Sequence, residues 1–149
     1  MTQSPLAQRM EQVVKTYIQA CNDADAEAIA ACFCPDAIHH MPVNDRGIVS
    51  WRGAATIGER FETLVKASGR RWTVDQLLTD VERHASILEW TAFNRDRDKL
   101  VRGVDWFDFD PQTLRIAAVR SFVATVSNPE AQCVEQQDFD YAGRGYPTL

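Results

Sequence analysis

The 149-residue sequence lacks a long apolar run, an excess of basic residues and any segment of biased composition. Its formal net charge is −5, which argues against nucleic acid or an anionic membrane as a partner, because both bind basic surfaces. No stretch reaches membrane-spanning length, and the N-terminal segment MTQSPLAQRM has no signal-peptide core. We therefore expect a cytoplasmic protein with no nucleic-acid or membrane partner.

Motifs of several enzyme classes are also missing. The sequence has no glycine-rich phosphate loop and no nucleophile elbow. Its 3 histidines and 4 cysteines show no metal-site spacing, so neither a metal nor another cofactor is expected. Cys32 and Cys34 are predicted to lie on one helix and point in different directions, and reduced structural thiols are the expected state of all the cysteines.

The hydrophobic pattern is helical in the first half of the chain and alternating in the second. It predicts a helix over residues 6–21, a short second helix that carries Ile29, Cys32 and Phe33, and a third helix that ends at Ser68-Gly69. A brief strand is expected at Ala37–Met41, followed by a loop from Val43 to Arg52. Four longer strands are predicted at Trp72–Leu78, Ala85–Phe93, Leu100–Phe109 and Leu114–Val126, joined by short polar turns.

Helices followed by an antiparallel sheet predict a single α+β domain over residues 1–149, with its core at about 6–126 and a polar tail at 127–149. The economical packing is a curved sheet wrapped against the helices, with a pocket in its concave face. The outer face also carries large side chains, so we expect a homodimer that covers it; these are Leu100, Val104 and Trp106.

An unusual carboxylate lies in the strand LVRGVDWFDF at residues 100–109. Side chains alternate along a strand, so Asp105 shares a face with Val101, Gly103, Phe107 and Phe109. A buried carboxylate is costly unless it is paired, hydrogen-bonded or protonated. Asp105 is therefore either in water on an edge or bent strand, or part of an apolar pocket where a shifted pKa indicates function.

Three other side chains are candidates for the same pocket. Tyr17 lies on the apolar face of the first helix, where its hydroxyl needs a partner: either a backbone carbonyl or a ligand shared with Asp105. His39 and His40 are adjacent on the short strand, so at most one can point inward. Alternation groups His39 with Ala37 and Met41, and a bulge before Pro42 would exchange the two histidines. An inward imidazole is a natural general acid or base.

Several motifs together carry a resemblance to a known family. They are Val13–Asn22 with its tyrosine, Cys32-Phe33-Cys34-Pro35-Asp36-Ala37, Met41-Pro42-Val43, Trp51-Arg52-Gly53, Val104-Asp105-Trp106-Phe107-Asp108-Phe109 and Ile116–Phe122. In these, the chain resembles the NTF2-like superfamily, and within it the ketosteroid-isomerase and SnoaL-like branch. The resemblance implies a cone-shaped, cystatin-like α+β fold, in which three N-terminal helices pack on a strongly curved, mixed but mainly antiparallel sheet around an internal pocket.

The resemblance also implies roles for single residues. Tyr17 and Asp105 match the two oxyanion-hole donors of the isomerases, with the carboxyl held neutral; this pKa logic is that family's known case. The isomerases' general base matches Met41, which cannot take a proton, so His39 or His40 would replace it. The epoxide-hydrolase branch needs an Asp-Arg-Asp set, where this chain has Glu89, Thr91 and Ser121 instead.

Two functions follow from these observations. The first is an enzyme that isomerises, dehydrates or cyclises an apolar carbonyl compound without a cofactor, using the Tyr17 and Asp105 oxyanion hole and a histidine base. The second is a non-catalytic protein of the same fold that binds a small ligand or serves as a dimer scaffold. In both, the pocket lining is expected to comprise Met41, Trp51, Phe61, Trp90, Phe107, Val119 and Ser121.

Overall fold

The computed structural model describes residues 4–43, 47–94 and 100–124, together with Asp140 and Gly143. The described helices are α1 (Pro5–Asn22), α2 (Ala26–Ala31) and α3 (Ala54–Ser68). The described strands are β1 (Phe33–Val43), β2 (Gly47–Arg52), β3 (Arg71–Asp80), β4 (Ala85–Phe93), β5 (Leu100–Phe109) and β6 (Ile116–Val123). No helix in these ranges is both long and apolar enough to span a bilayer.

Local side-chain chemistry sets where the helices begin and end. The Ser4 hydroxyl accepts a hydrogen bond from the Ala7 N–H at 3.1 Å and caps α1, which has Pro5 in its first turn. The Asp25 carboxylate caps α2 in the same way through the Ala28 N–H at 2.9 Å. Helix α3 ends at Gly69, which has a left-handed φ of 64° and donates its N–H to the Val65 carbonyl.

A close helix crossing holds α2 against α3. A Cβ at Gly58 would lie 2.3 Å from the Ala26 carbonyl oxygen, so only glycine allows the two backbones to approach this closely. The apolar face of α1 packs beside this pair and buries Met10, Val14, Tyr17, Ile18 and Cys21. The three helices thereby form one layer of the domain.

The second layer is a mixed sheet of six strands in the order β2-β1-β6-β5-β4-β3. Strands β1 and β6 are parallel, and all other neighbours are antiparallel. The expected α+β fold, with three helices on a mainly antiparallel mixed sheet, is confirmed. The sheet order brings β1, from the first half of the chain, directly beside β6 and one strand away from β5.

The structure corrects three predicted boundaries. Of the loop predicted from Val43 to Arg52, the part Gly47–Arg52 is instead strand β2, which pairs with β1. The second helix ends at Ala31, so Phe33 and Cys34 belong to β1 instead of the helix. Strand β6 begins at Ile116, since Leu114 adopts a φ of 58° in the preceding turn. Strand pairing decides the first two boundaries and a turn decides the third, and local periodicity records neither.

Apolar side chains also lie on the outer face of the sheet, opposite the helices. Phe122 is 60% exposed and Leu78 is 57% exposed, which is unusual for large apolar residues. The homodimer through this face stays a prediction. The predicted tail at 127–149 falls outside the described residues except at Asp140 and Gly143.

Candidate functional site

The site is built around a hydrogen bond between Tyr17 of α1 and His39 of β1. The Tyr17 hydroxyl lies 3.2 Å from His39 Nε2, and the two residues are 22 positions apart in the chain. Tyr17 is 1% exposed and His39 is fully buried. The sheet alternation points His39 inward, while the amphipathic spacing of α1 points Tyr17 toward the sheet.

Aromatic rings surround this pair and exclude water. The Tyr17 ring packs edge-on against Phe33, Phe61 and Phe107, with centroid separations of 5.2, 5.9 and 5.9 Å. The His39 ring lies 5.1 Å from Phe61 and 5.8 Å from Trp51. Interactions between polar groups are stronger in such an apolar environment than in water.

Asp105 is the buried carboxylate of the site. It lies on β5, opposite Leu88 on one neighbouring strand and Ser121 on the other, and it is 6% exposed. None of the ion pairs in the described part of the chain involves it, and its Oδ1 has no hydrogen-bond partner there. Asp105 is therefore a buried acid without a counter-charge among the residues that the structure describes.

Burial shifts the pKa values of Asp105, His39 and Tyr17, each away from the charged form of the group. It raises the pKa of Asp105 to about 6, against a smaller opposing effect of Ser121 and Trp90, whose polar hydrogens approach the carboxylate. It lowers the pKa of His39 to about 3, and the neighbouring His40 adds to that shift. Burial, helped by Cys21 and Asp105, raises the pKa of Tyr17 well above its usual range. At neutral pH the site thus holds a neutral phenol, a neutral imidazole and a carboxyl near its titration point.

His40 lies on the opposite face of β1 from His39. Its Nδ1 is 2.9 Å from the Ser50 hydroxyl of β2, and its side chain is partly exposed. The open choice between the two histidines is therefore resolved: His39 faces the interior and His40 does not. The bulge that would have exchanged them is absent from the described pairing of His39 and His40 with β2 and β6.

The predicted lining residues share the inner side of the domain with this pair. Phe61, Trp90, Phe107, Val119 and Ser121 are buried, whereas Met41 and Trp51 are partly buried and pack against the core. An enclosed pocket between them stays a prediction. A depression of about 520 Å³ lies elsewhere, near the ends of α1 and α3, and its lining includes Asn22, Lys66 and Arg71 but no predicted site residue.

A family model for the SnoaL-like domain matches residues 14–131 of this chain. The chain belongs to the SnoaL-like family. This confirms the resemblance to the NTF2-like superfamily. No curated protein matches the sequence at a significant level.

Solved structures extend the comparison of this SnoaL-like chain. A protein of unknown function with a cystatin-like fold from Methylobium petroleophilum PM1 is 39% identical, with a TM-score of 0.75 over 96% of this chain and 93% of that one. A candidate ketosteroid isomerase from Kribbella flavida DSM 17836 is 18% identical, with a TM-score of 0.67 over 84% of each chain. The epoxide hydrolase/cyclase-like enzyme SalBIII, which has a role in pyran ring formation in salinomycin, is 22% identical, with a TM-score of 0.64 over 78% of this chain and 92% of that one. At such identities the last two show the fold alone.

One further group of this SnoaL-like site, Cys21, is predicted from the sequence only as a reduced structural thiol. Cys21 lies one helical turn after Tyr17; burial raises the pKa of its thiol, and the neighbouring Tyr17 hydroxyl opposes that shift. The i, i+4 spacing of Tyr17 and Cys21 is the sequence signal that identifies this contact.

Two of the residues compared with the epoxide-hydrolase set face away from the site. Glu89 pairs with Arg102, and the Thr91 hydroxyl donates to Asp75 at 2.6 Å, both on the face opposite Trp90. Only Ser121 of that set faces inward, beside Asp105.

The described residues contain no group of three His, Cys, Asp or Glu side chains that could hold a metal ion. Cys21, Cys32 and Cys34 carry free thiols, and Cys133 lies outside the described residues. Cys32 and Cys34 are not on one helix, because Cys34 belongs to β1.

Proposed function

We propose that this SnoaL-like protein is an enzyme that catalyses cofactor-independent acid–base chemistry on an apolar carbonyl compound. The observation that carries the proposal is the carboxyl of Asp105, which forms no ion pair with any described residue and is buried in the same interior as the Tyr17–His39 pair. A buried acid without a counter-charge destabilises a fold, and such groups concentrate at functional sites. Membership of the SnoaL-like family supports the proposal at the level of the fold.

Asp105 is the proton-transfer group of the proposed reaction. A general base works best when its pKa lies near the operating pH, and burial brings the pKa of Asp105 to about 6. With this pKa about nine in ten carboxyls are ionised at pH 7, so the carboxylate accepts a proton from the carbon beside the substrate carbonyl. His39, whose pKa is about 3, is a poor base under the same conditions.

Tyr17 stabilises the negative charge that develops on the carbonyl oxygen. Its hydroxyl stays protonated, since burial raises the pKa. When His39 carries its proton on Nε2, it donates to the Tyr17 oxygen and leaves the Tyr17 hydrogen free for the substrate. The other tautomer would draw the Tyr17 hydrogen toward His39. In this proposal His39 is a positioning residue.

The protonated Asp105 then returns the proton. Delivery to a different carbon of the enolate completes an isomerisation. Delivery to the oxygen of a departing hydroxyl releases water and completes a dehydration. Both reactions return Asp105 to its ionised form, and neither consumes an oxidant or a reductant.

Binding without turnover is the second candidate function. It is favoured by Met41, which occupies the position of the isomerases' base and packs partly buried against the core. A small apolar ligand would then be held by the aromatic rings around Tyr17 and His39.

Hydrogen–deuterium exchange tests the enzymatic proposal without knowledge of the natural substrate. The protein is incubated in D2O with 2-tetralone and 2-methylcyclohexanone, and NMR follows deuterium at the carbon beside the carbonyl. We expect exchange above the buffer rate, rising with pH through about 6 as Asp105 ionises. Loss of a general base should lower the rate by about 100-fold or more in Asp105→Asn.

Asp108→Asn is the matched control, because Asp108 lies on the same strand but on the outer face with Arg120. It should leave the exchange rate unchanged. Equal rates in wild type and Asp105→Asn would refute the role of Asp105. Binding of the ketones without exchange would favour the non-catalytic alternative.

A further inference from the structure

The indole of Trp90 is held in an unusual place on the inner face of β4. It lies against Gly103 of β5, where a Cβ would be 2.3 Å from Trp90 Cζ2 and 2.7 Å from Cη2. The same Cβ would be 2.6 Å from the Phe122 carbonyl oxygen. Any side chain at position 103 would therefore displace the indole, which makes Gly103 the residue that allows this position.

The N–H of this indole has no hydrogen-bond partner among the residues that the structure describes, although Trp90 is only 5% exposed. Trp106 provides a comparison on the outer face of β5, where its indole N–H donates to Asp108 Oδ1 at 3.0 Å. An unsatisfied buried donor costs about 1–3 kcal/mol, so proteins rarely leave one without a reason.

Two other polar atoms of the same interior are also buried without a hydrogen-bond partner among the described residues. Asp105 Oδ1 and His39 Nδ1 are both buried and without a partner in the described part of the chain. Trp90 is paired with Gly103, so Asp105, two positions further along β5, is its diagonal neighbour on the inner face. The Trp90 side chain also acts to lower the pKa of Asp105. A donor and an acceptor therefore lie next to each other without completing a hydrogen bond of ordinary geometry.

We propose that the Trp90 N–H and Asp105 Oδ1 together bind a hydroxyl group of the ligand, so that the site selects apolar hydroxy-carbonyl compounds. An indole N–H can only donate, and an ionised carboxylate can only accept. A hydroxyl oxygen accepts from Trp90 while its hydrogen donates to Asp105, which satisfies both atoms at once. The ligand carbonyl then faces Tyr17. This inference rests on the proposed site, but it does not require turnover.

Calorimetry with two probes of similar shape tests the inference. We use 2-naphthol, which carries the hydroxyl, and 2-methylnaphthalene, in which a methyl group replaces it. The wild type should bind 2-naphthol at least about tenfold more tightly, the equivalent of one or two hydrogen bonds. Trp90→Phe should weaken 2-naphthol binding about five- to tenfold and change 2-methylnaphthalene binding less than about twofold.

Trp106→Phe is the matched control, since it removes an indole donor from the outer face. It should leave both affinities unchanged. An NMR measurement on the wild type covers the case in which Trp90→Phe does not fold: the Trp90 indole proton should shift downfield with 2-naphthol and not with 2-methylnaphthalene.

Three results would overturn the inference. The first is that Trp90→Phe weakens the binding of both probes equally, which would indicate that Trp90 contributes packing alone. The second is that Trp90→Phe weakens the binding of neither probe. The third is that the wild type does not bind 2-naphthol more tightly than 2-methylnaphthalene, which includes the case in which it binds neither. Because all of these are equilibrium measurements, they are independent of the ketone-exchange result that tests the enzymatic function.

Discussion

Asp105 and Asp108 lie three positions apart on β5, one on the inner face of the sheet and one on the outer face. Asp108 pairs with Arg120 at 2.9 Å and accepts from the Trp106 indole, in a setting where the Asp108 side chain is 39% exposed. Asp105 faces apolar rings and a serine, with no ion pair among the described residues. One strand thus carries a conventional surface carboxylate and an uncompensated buried one.

The same contrast extends across the sheet. On the outer face, Arg102 pairs with Glu89, and Asp75 accepts from Thr73 and Thr91. The inner face instead leaves polar atoms of His39, Trp90 and Asp105 without partners in the described ranges. The outer-face groups named here are paired within the protein, apart from Arg102 Nε, whereas the inner face concentrates three polar atoms without partners among the described residues, as the proposed ligand site requires.

The largest expected effect concerns the two adjacent histidines. Burial lowers the pKa of His39 from 6.5 to about 3, so the unfolded chain binds this proton at a higher pH than the folded one. Wild-type stability from this group is present above pH 6.5 and is lost as the pH falls toward 3. His39→Gln should therefore gain up to about 5 kcal/mol relative to wild type across that window. Urea unfolding at several pH values measures this difference in the free energy of unfolding.

His40→Gln is the matched control, because His40 lies on the opposite face of β1. It should change stability by less than about 0.5 kcal/mol.

Asp105 should show the opposite pH dependence. The folded state keeps the Asp105 proton up to a pKa of about 6, whereas the unfolded chain loses it near 3.8, so wild-type stability falls as the pH rises through this range. Asp105→Asn should gain about 3 kcal/mol more at pH 8 than at pH 3. Asp108→Asn should change stability by less than about 1 kcal/mol at pH 8. A pH-independent effect of Asp105→Asn would contradict the buried, unpaired carboxylate.

A smaller effect is expected for the Tyr17 hydroxyl. Tyr17→Phe leaves His39 Nε2 without its partner inside the core, which should cost about 2 kcal/mol at pH 7. In the His39→Gln background the cost should fall if the two groups act as a pair. Thermal and urea unfolding of the four proteins complete this double-mutant cycle. Full additivity would indicate that the hydrogen bond contributes nothing.

A double-mutant cycle of Arg120 and Asp108 on the outer face should give a smaller coupling energy than the cycle of Tyr17 and His39. Arg120 and Asp108 are 44% and 39% exposed, so water and salt screen their attraction. Their coupling energy should be at most about 1 kcal/mol and should decline as salt is added. A coupling as large as that of Tyr17 and His39 would remove the distinction between the two faces.

The smallest effect on the protomer is expected at Phe122. Its ring is 60% exposed, so Phe122→Ser should change the unfolding free energy of the protomer by less than about 0.5 kcal/mol. If the outer face forms the predicted homodimer, the same change should shift light scattering toward the monomer. An unchanged dimer would place the interface elsewhere.

Much of the fold was predictable, because strong periodicity is a local signal. Strands Ala85–Phe93 and Leu100–Phe109 match the structure residue for residue. Strand β2 was missed since Gly47–Arg52 is short and half-exposed and lies at the sheet edge, so no alternating apolar pattern marks it. The start of β1 was missed because Phe33 continues the apolar face of α2 while its backbone pairs with Ile116.

The site was predictable to the same degree. Alternation alone grouped His39 with Ala37 and Met41, and Asp105 with Phe107, because side-chain direction along a strand depends only on the neighbouring residues. Which inward side chains meet depends on strand order and helix packing. The parallel pairing of β1 with β6 brings His39 under Tyr17, and the register of β5 places Asp105 beside Ser121. The pKa values of Asp105 and His39 follow from their burial in the folded domain. The tertiary structure alone therefore decided that Asp105 titrates near neutral pH and that His39 is neutral there.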